Sequence, residues 1–400
     1  MKFFGILLFC FMFLALPLFS QSKKILIWCT SAEVEELAPI KKIFKKDKKI
    51  DVELEIQTEV RSKYIQSSVS GVGPDIVVGA HDWVGELARN GIIGEINLSK
   101  EDRAKFLPIS LKGFTYNNKL YGVPYCVETL ILIYDKRIIK SAPDTWESLF
   151  EIAKGLTDKK NQKFGFLYGI DNNFYTNFPF LGSQGAYIFK ETDGKYDVTD
   201  IGLDNEGAII GANFIKKIVD NGLVPISTNN ASLQTSFLDG KVAIIMDGPW
   251  YIPLYRKQFG ANLGIAKLPT LNSKPSVPFV GSRGLMLNQA SKSISIAREF
   301  LNYCATKEGQ LKIFEVSGRP PANIEAVKEV ESKSDYVSIV IDTAKNGIIM
   351  PNVKAMAVVW NYAAGMIDKI KLGDVSVEDA LKNGTKTIRD EIVKRKDKLE

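Results

Sequence analysis

The stretch Tyr121-Gly-Val-Pro-Tyr-Cys-Val-Glu-Thr-Leu-Ile-Leu-Ile-Tyr134 decides how this chain is read. Glu128 is its only formal charge. At about 3.3 Å per residue the run is far longer than a usual strand of about 5–6 residues. Two sheets account for it: the chain would finish a first lobe near Pro124 and enter a second near Leu130. Glu128 would then stand at the crossing, where a cleft opens between lobes. A carboxylate in an apolar stretch is expensive unless it meets water or a partner. The alternative is therefore one buried strand whose Glu128 is satisfied by a neighbouring arginine or by backbone.

Upstream, Lys24-Ile-Leu-Ile-Trp-Cys29 reads as a first buried strand. Thr30 or Ser31 can cap the helix that follows, with Leu37, Ile40 and Phe44 on one face. Glu33, Glu35 and Glu36 crowd its start and lysines its end, as the helix dipole prefers. Asp51–Gln57 alternates as a strand. A polar helix and the turn Gly71-Val-Gly-Pro-Asp75 lead to the short apolar strand Ile76-Val-Val-Gly79. This alternation is the βαβ pattern of an α/β domain. Ligands bind at the carboxyl ends of such strands, here the loop Ala80-His-Asp-Trp83.

Downstream, Thr145 with Ser148 flanks a helix start, and Asn205–Asp220 is a helix stopped by Gly222. Val242–Asp247 is a buried strand running into Gly248-Pro-Trp250. Ser276–Leu287 holds Pro278, Gly281 and Gly284 between two apolar pieces, a second crossing. Pro320-Pro321 and Lys333-Ser-Asp335 mark a third break. A helix carries Trp360, and Ser376 with Asp379 opens a final helix.

The totals fit this plan. Four hundred residues allow two or three domains, and 45% hydrophobic with 24% charged is ordinary globular composition. Met1-Lys2 followed by apolar Phe3–Phe19 reads as a secretory signal cut after Ser20. An uncleaved anchor is the alternative, disfavoured because Pro17 ends the run short of bilayer length. Cys10 sits mid-run behind Phe9, a poor context for lipid attachment. Beyond residue 20 the net charge is about +5. The lysine clusters at 41–49 and 394–398 lack interleaved aromatics and read as solvated faces, with no nucleic-acid partner. Cys29, Cys126 and Cys304 are far apart, and the first two sit in apolar strands as buried free thiols. His81 is the only histidine, which argues against a His/Cys zinc site and against a Ser-His-Asp triad built elsewhere.

Six pieces in order, Gly73-Pro-Asp-Ile with Ala80-His-Asp82, Val127-Glu-Thr-Leu with Leu132-Ile-Tyr-Asp135, Lys195-Tyr-Asp with Asp204-Asn205, Gly248-Pro-Trp250, Pro278-Phe-Val-Gly281, and Met350-Pro-Asn352 with Trp360, resemble the periplasmic maltose/maltodextrin-binding proteins. The resemblance runs from about Ile25 to the last helix. It implies an α/β fold of two lobes joined by three crossings. The lobes would span 21–127 plus 282–330 and 128–281 plus 331–400, behind the signal peptide at 1–20. It also implies a monomeric periplasmic protein that closes over an oligosaccharide without a cofactor and delivers it to the transmembrane subunits of an ABC importer. Asp82 and Glu128 fall on carboxylates that grip sugar hydroxyls, and Tyr175, Trp250 and Trp360 on aromatics that face sugar rings. The chemistry suits: aromatic planes cover apolar C–H faces, and ionised carboxylates accept strong hydrogen bonds.

The departures bear on which sugar. Gly79 stands where the family has Trp, and Trp83 where it has Arg, so Trp83 is the candidate replacement ring. The Asp-Lys pair of the first loop becomes about Ala32-Glu33. A cleft Tyr becomes Asn230, the late Tyr and Arg become Asn361 and Ala364, and the Glu-Pro before Tyr175 becomes Asn173-Phe174. Glu33, Asn230 and Asn361 complete the candidate set. Two other classes stay open: a binding protein for a non-maltose sugar or another small solute, and an exported glycosidase using Asp82 and Glu128 as its two carboxylates.

Overall fold

The computed structural model describes residues 23–395; the signal segment expected at 1–20 lies outside them. Ten strands build two sheets: β1 (Lys24–Cys29), β2 (Asp51–Ile56), β3 (Ile76–Ala80), β4 (Val123–Thr129), β5 (Ile131–Asp135), β6 (Phe164–Tyr168), β7 (Val242–Asp247), β8 (Leu263–Ala266), β9 (Phe279–Leu287) and β10 (Ile348–Ile349). The first sheet has the order β10-β9-β3-β1-β2, with β4 also paired to β9; the second is β8-β5-β7-β6. Strands β1, β2 and β3 are mutually parallel, as the βαβ pattern requires, while β9 runs antiparallel to β3 and β4. The architecture is a two-lobed α/β fold.

The opening run divides between the sheets, as expected of a chain passing from one lobe to the other. Its break falls at Leu130, between β4 and β5. The first piece does not end near Pro124: β4 continues to Thr129. Proline lacks the N–H that a ladder needs, and the register shift between Arg283 and Gly284 of β9 falls beside Pro124 and absorbs that loss. Glu128 pairs with Gly281 in this ladder, where the missing side chain leaves room for the glutamate to lie across the strand.

Each sheet has its own core. Ile25, Ile27 and Cys29 of β1 pack with Leu37, Ile40 and Phe44, the face read from the sequence, with Leu37 and Ile40 on a helix spanning Ser31–Ile43 and Phe44 opening the π-helical turn Phe44–Lys48 that continues it. The second core gathers Ile131–Ile133, Trp146, Phe166, Phe178, Phe180 and Ile244. A small cluster of Val127, Val280, Ala344 and Ile349 joins β4, β9 and β10. The last change of core falls after Ala322, which belongs to the first, and before Val327, which belongs to the second. The expected caps form: the Thr145 side chain accepts from Ser148 N–H at 3.0 Å and the Ser376 side chain from Asp379 N–H at 3.1 Å. All three cysteines at 29, 126 and 304 are buried free thiols. Among the described residues no helix is long and apolar enough to cross a membrane.

Candidate functional site

The carboxyl end of β3 runs directly into a short turn, His81–Trp83. His81 pins it. The ring is buried; its Nε2–H donates to Met350 O (2.9 Å) and its Nδ1 accepts from Ser282 N–H (3.1 Å). Burial holds the imidazole below its ordinary pKa, so it stays neutral. With both nitrogens committed to backbone, His81 positions Asp82 rather than serving as a base. Asp82 caps no helix. Its Oδ2 accepts from the Trp360 indole N–H at 3.2 Å. Trp360 lies on a helix spanning Met356–Leu372 and packs against the second core, so this bond joins the two lobes. The Trp83 ring lies over Gly79, in the space a side chain at position 79 would occupy.

The second lobe repeats this device. After β7 the chain turns through Pro249–Tyr251, and the Trp250 ring lies over Gly248. Trp250 stands 6.4 Å from the Tyr175 ring, centroid to centroid. Tyr175 stacks on Phe279 at 5.9 Å, and Phe279 meets Trp360 edge-on at 5.6 Å. The Tyr175 hydroxyl is buried and has no hydrogen-bond partner among the described residues. Behind Trp250, buried Asp247 accepts from Tyr255 O–H (2.6 Å) and Gly248 N–H (2.8 Å). Burial raises its pKa to about 6 although those donors pull it down.

A carboxyl raised on folding stabilises below its unfolded pKa, and that gain is lost as pH rises through the folded value. Asp247 should therefore withdraw about 3 kcal/mol of stability between about pH 3 and pH 7, from a shift of about two units at about 1.36 kcal/mol each. Asp247→Asn removes the titration. The stability difference between wild type and variant, followed by urea unfolding, should move by that amount in favour of the variant on raising the pH. A difference flat with pH would refute the assignment.

Two ion-pair systems lie beside these residues. Arg319 bridges Glu36, at 3.2 Å, and Glu128, and its guanidinium stands 5.6 Å from the centre of the Trp250 ring. Glu36 also accepts from Tyr125 O–H at 3.0 Å. Arg283 of β9 pairs with Glu33, whose other oxygen accepts from Thr30 N–H (2.8 Å) and O–H (3.1 Å). Burial pushes Glu33 up, but Arg283 and Thr30 together outweigh it and hold the group below the usual glutamate range.

The structure thus joins Asp82, Trp360, Tyr175 and Trp250 by direct or ring-mediated contacts, and Glu128 to Trp250 through Arg319. Glu33 is paired inside the first lobe. Asn361 is exposed, and Asn230 is an exposed neighbour of Asn173, bonded at 3.5 Å. Sequence reading missed Arg319, Arg283 and Glu36. Glu33 and Glu36 passed as dipole-complementing acids at a helix start, yet both are buried while Glu35 is exposed.

A cavity of about 1080 Å³ opens elsewhere, lined by Lys112, Tyr116, Tyr196, Ile349 and Val353 among others, and by none of the nine candidates. The candidates Asp82, Tyr175, Trp250 and Trp360 gather at the contact cluster instead, where strand ends from both sheets bring rings and an acceptor together. Among the described residues no group of three or more His, Cys, Asp or Glu could hold a metal ion.

Residues 40–336 match the family described as bacterial extracellular solute-binding protein. The chain is 30% identical over 392 residues to a maltooligosaccharide ABC transporter solute-binding lipoprotein of Streptococcus pneumoniae, covering 94% of this chain and 90% of the relative. It is 28% identical over 390 residues to a galactooligosaccharide-binding protein of Bacillus subtilis, covering 93% and 90%. A maltodextrin-binding protein of the same organism is 28% identical over 391 residues, covering 94% and 92%.

Proposed function

Because the chain belongs to the bacterial extracellular solute-binding proteins, we propose that it captures a maltodextrin-like oligosaccharide between its lobes and hands it unchanged to an ABC-type permease. One observation carries the reading: the Asp82 carboxylate of the first lobe meets the Trp360 indole of the second, with Tyr175 and Trp250 beside them. Flat rings cover the C–H faces of a pyranose, and carboxylates accept from its hydroxyls. Asp82, Glu128, Tyr175, Trp250 and Trp360 form the contact set in this reading. Trp83 is a flanking ring over Gly79, Glu33 supports from within the first lobe, and Asn230 and Asn361 stand at the margins.

Closure is a hinge rotation at the three passages between the sheets, with lobes of 21–127 plus 282–330 and 128–281 plus 331–400. Export through residues 1–20 leaves a monomer in the periplasm. The closed form presents both lobe surfaces to the permease.

The test is calorimetry with maltotriose, maltose, galacto-oligosaccharides and amino acids, combined with small-angle scattering. A saccharide should bind with one-to-one stoichiometry and compact the protein, and no monosaccharide should accumulate. Binding confined to the amino acids would end the saccharide reading. Release of glucose from maltotriose would replace it with a glycosidase.

A further inference from the structure

We propose that Arg319 is itself a ligand-binding, specificity-determining residue, donating to a saccharide hydroxyl held between Glu128, the Tyr175 hydroxyl and the Trp250 ring. This rests on the saccharide reading above.

Arg319 follows Gly318, whose backbone takes the left-handed φ of +67° that ends the helix Lys307–Ser317. Two prolines come next, and Pro320 O accepts from Val127 N–H of β4 at 2.9 Å. The arginine is thus mounted on a stiff link and tied by backbone to the strand that carries Glu128. Its side chain is 12% exposed. A guanidinium has five N–H donors in a fixed fork. Nε is spent on Glu36 and Nη1 reaches Glu128, while Nη2 has no hydrogen-bond partner among the described residues.

The Tyr175 hydroxyl is the second observation. It is buried without a partner. Burial raises the phenol pKa well above its ordinary value, with the Glu128 charge adding and the Arg319 charge opposing. The Trp250 ring links phenol and ion pair geometrically, standing 6.4 Å from the Tyr175 ring and 5.6 Å from the Arg319 guanidinium. An unmade buried hydrogen bond is destabilising, so a group that pairs with the Tyr175 hydroxyl beside the indole face gains stability there. That group must accept from Arg319 and Tyr175 and donate to Glu128. A hydroxyl on a ring stacked against Trp250 does all three; an ammonium accepts nothing and a carboxylate donates nothing.

The opposing view makes Arg319 only a counter-ion for Glu36 and Glu128. Binding of maltotriose and its monodeoxy derivatives to wild type, Arg319→Lys and Tyr175→Phe separates the two. Lysine keeps the charge and loses the fork, and Tyr175→Phe deletes a hydroxyl with no protein partner, so its ligand-free Tm should hold or rise. Wild type should lose roughly 10- to 100-fold affinity for the derivative lacking the nested hydroxyl. In each variant that penalty should shrink by at least about 3-fold, because one of the three groups that read the hydroxyl is gone while the other two remain. Wild-type discrimination retained in either folded variant overturns the proposal. If Arg319→Lys does not fold, Tyr175→Phe decides alone. A wild type that binds no saccharide overturns the saccharide reading, and this inference with it.

Discussion

Arg283→Met is expected to lower the unfolding free energy by about 3–5 kcal/mol, the usual consequence of removing one partner from a buried ion pair. Glu33 is only 1% exposed, and Arg283 reaches it from β9 through Nε at 2.8 Å and through a second nitrogen. Without the guanidinium the carboxylate keeps its Thr30 donors but loses its counter-charge in a dry site. The deficit should depend on pH with a definite sign. In wild type the Glu33 pKa is lowered, so the pair stabilises above the unfolded glutamate range, and that gain is lost as pH falls through the folded value. In the variant Glu33 is pushed the other way by burial, so protonation below about pH 5 relieves part of the cost. The double variant Glu33→Met, Arg283→Met removes both charges and should recover most of the loss, since apolar replacement of a buried pair is often neutral. Urea unfolding of the three variants at two pH values measures this. A single-variant loss under about 1 kcal/mol would show that the pair is effectively solvated.

Trp250→Ala should weaken saccharide binding by about 1–3 kcal/mol, roughly 5- to 150-fold, the range for truncating a buried aromatic anchor. The ring is folded over Gly248, flanked by Tyr175 and faced by Arg319, so one turn of chain displays it. The effect should appear twice. Calorimetry gives the change in Kd directly. Ligand-induced stabilisation follows the same constant: sugar at 100 times the wild-type Kd adds about 2.7 kcal/mol, and a hundredfold loss of affinity cuts that to about 0.4 kcal/mol. Trp360→Ala should be comparable, and it also releases Asp82 from its cross-lobe bond. Unchanged affinity in Trp250→Ala would remove that residue from the site and leave the Arg319 proposal without its stacking surface.

The parts legible in advance were those encoded over short spans. The face Leu37, Ile40 and Phe44 is a helical period. The Thr145 and Ser376 caps are three-residue arrangements. Cys29 and Cys126 were legible as buried thiols because their neighbours are apolar. The run at 121–134 was legible as a candidate passage between sheets, although its exact break was not. Pro124 looks like a strand end locally, and only the shifted register of β9 makes it tolerable.

What was illegible has one physical cause. Glu33 finds Arg283 at a separation of 250 residues, Glu128 finds Arg319 at 191, and Asp82 finds Trp360 at 278. No local period records such pairings, because they arise from how sheets and helices stack. The amino-acid order alone therefore determined the α/β class and the residue types suited to sugar chemistry, while it left the run at 121–134 open between a passage and one buried strand. Tertiary packing alone decided which acids are spoken for within the protein and which arginine stands over the tryptophan. Burial and charge pairing depend on what the fold brings alongside, and that is not written next to each residue.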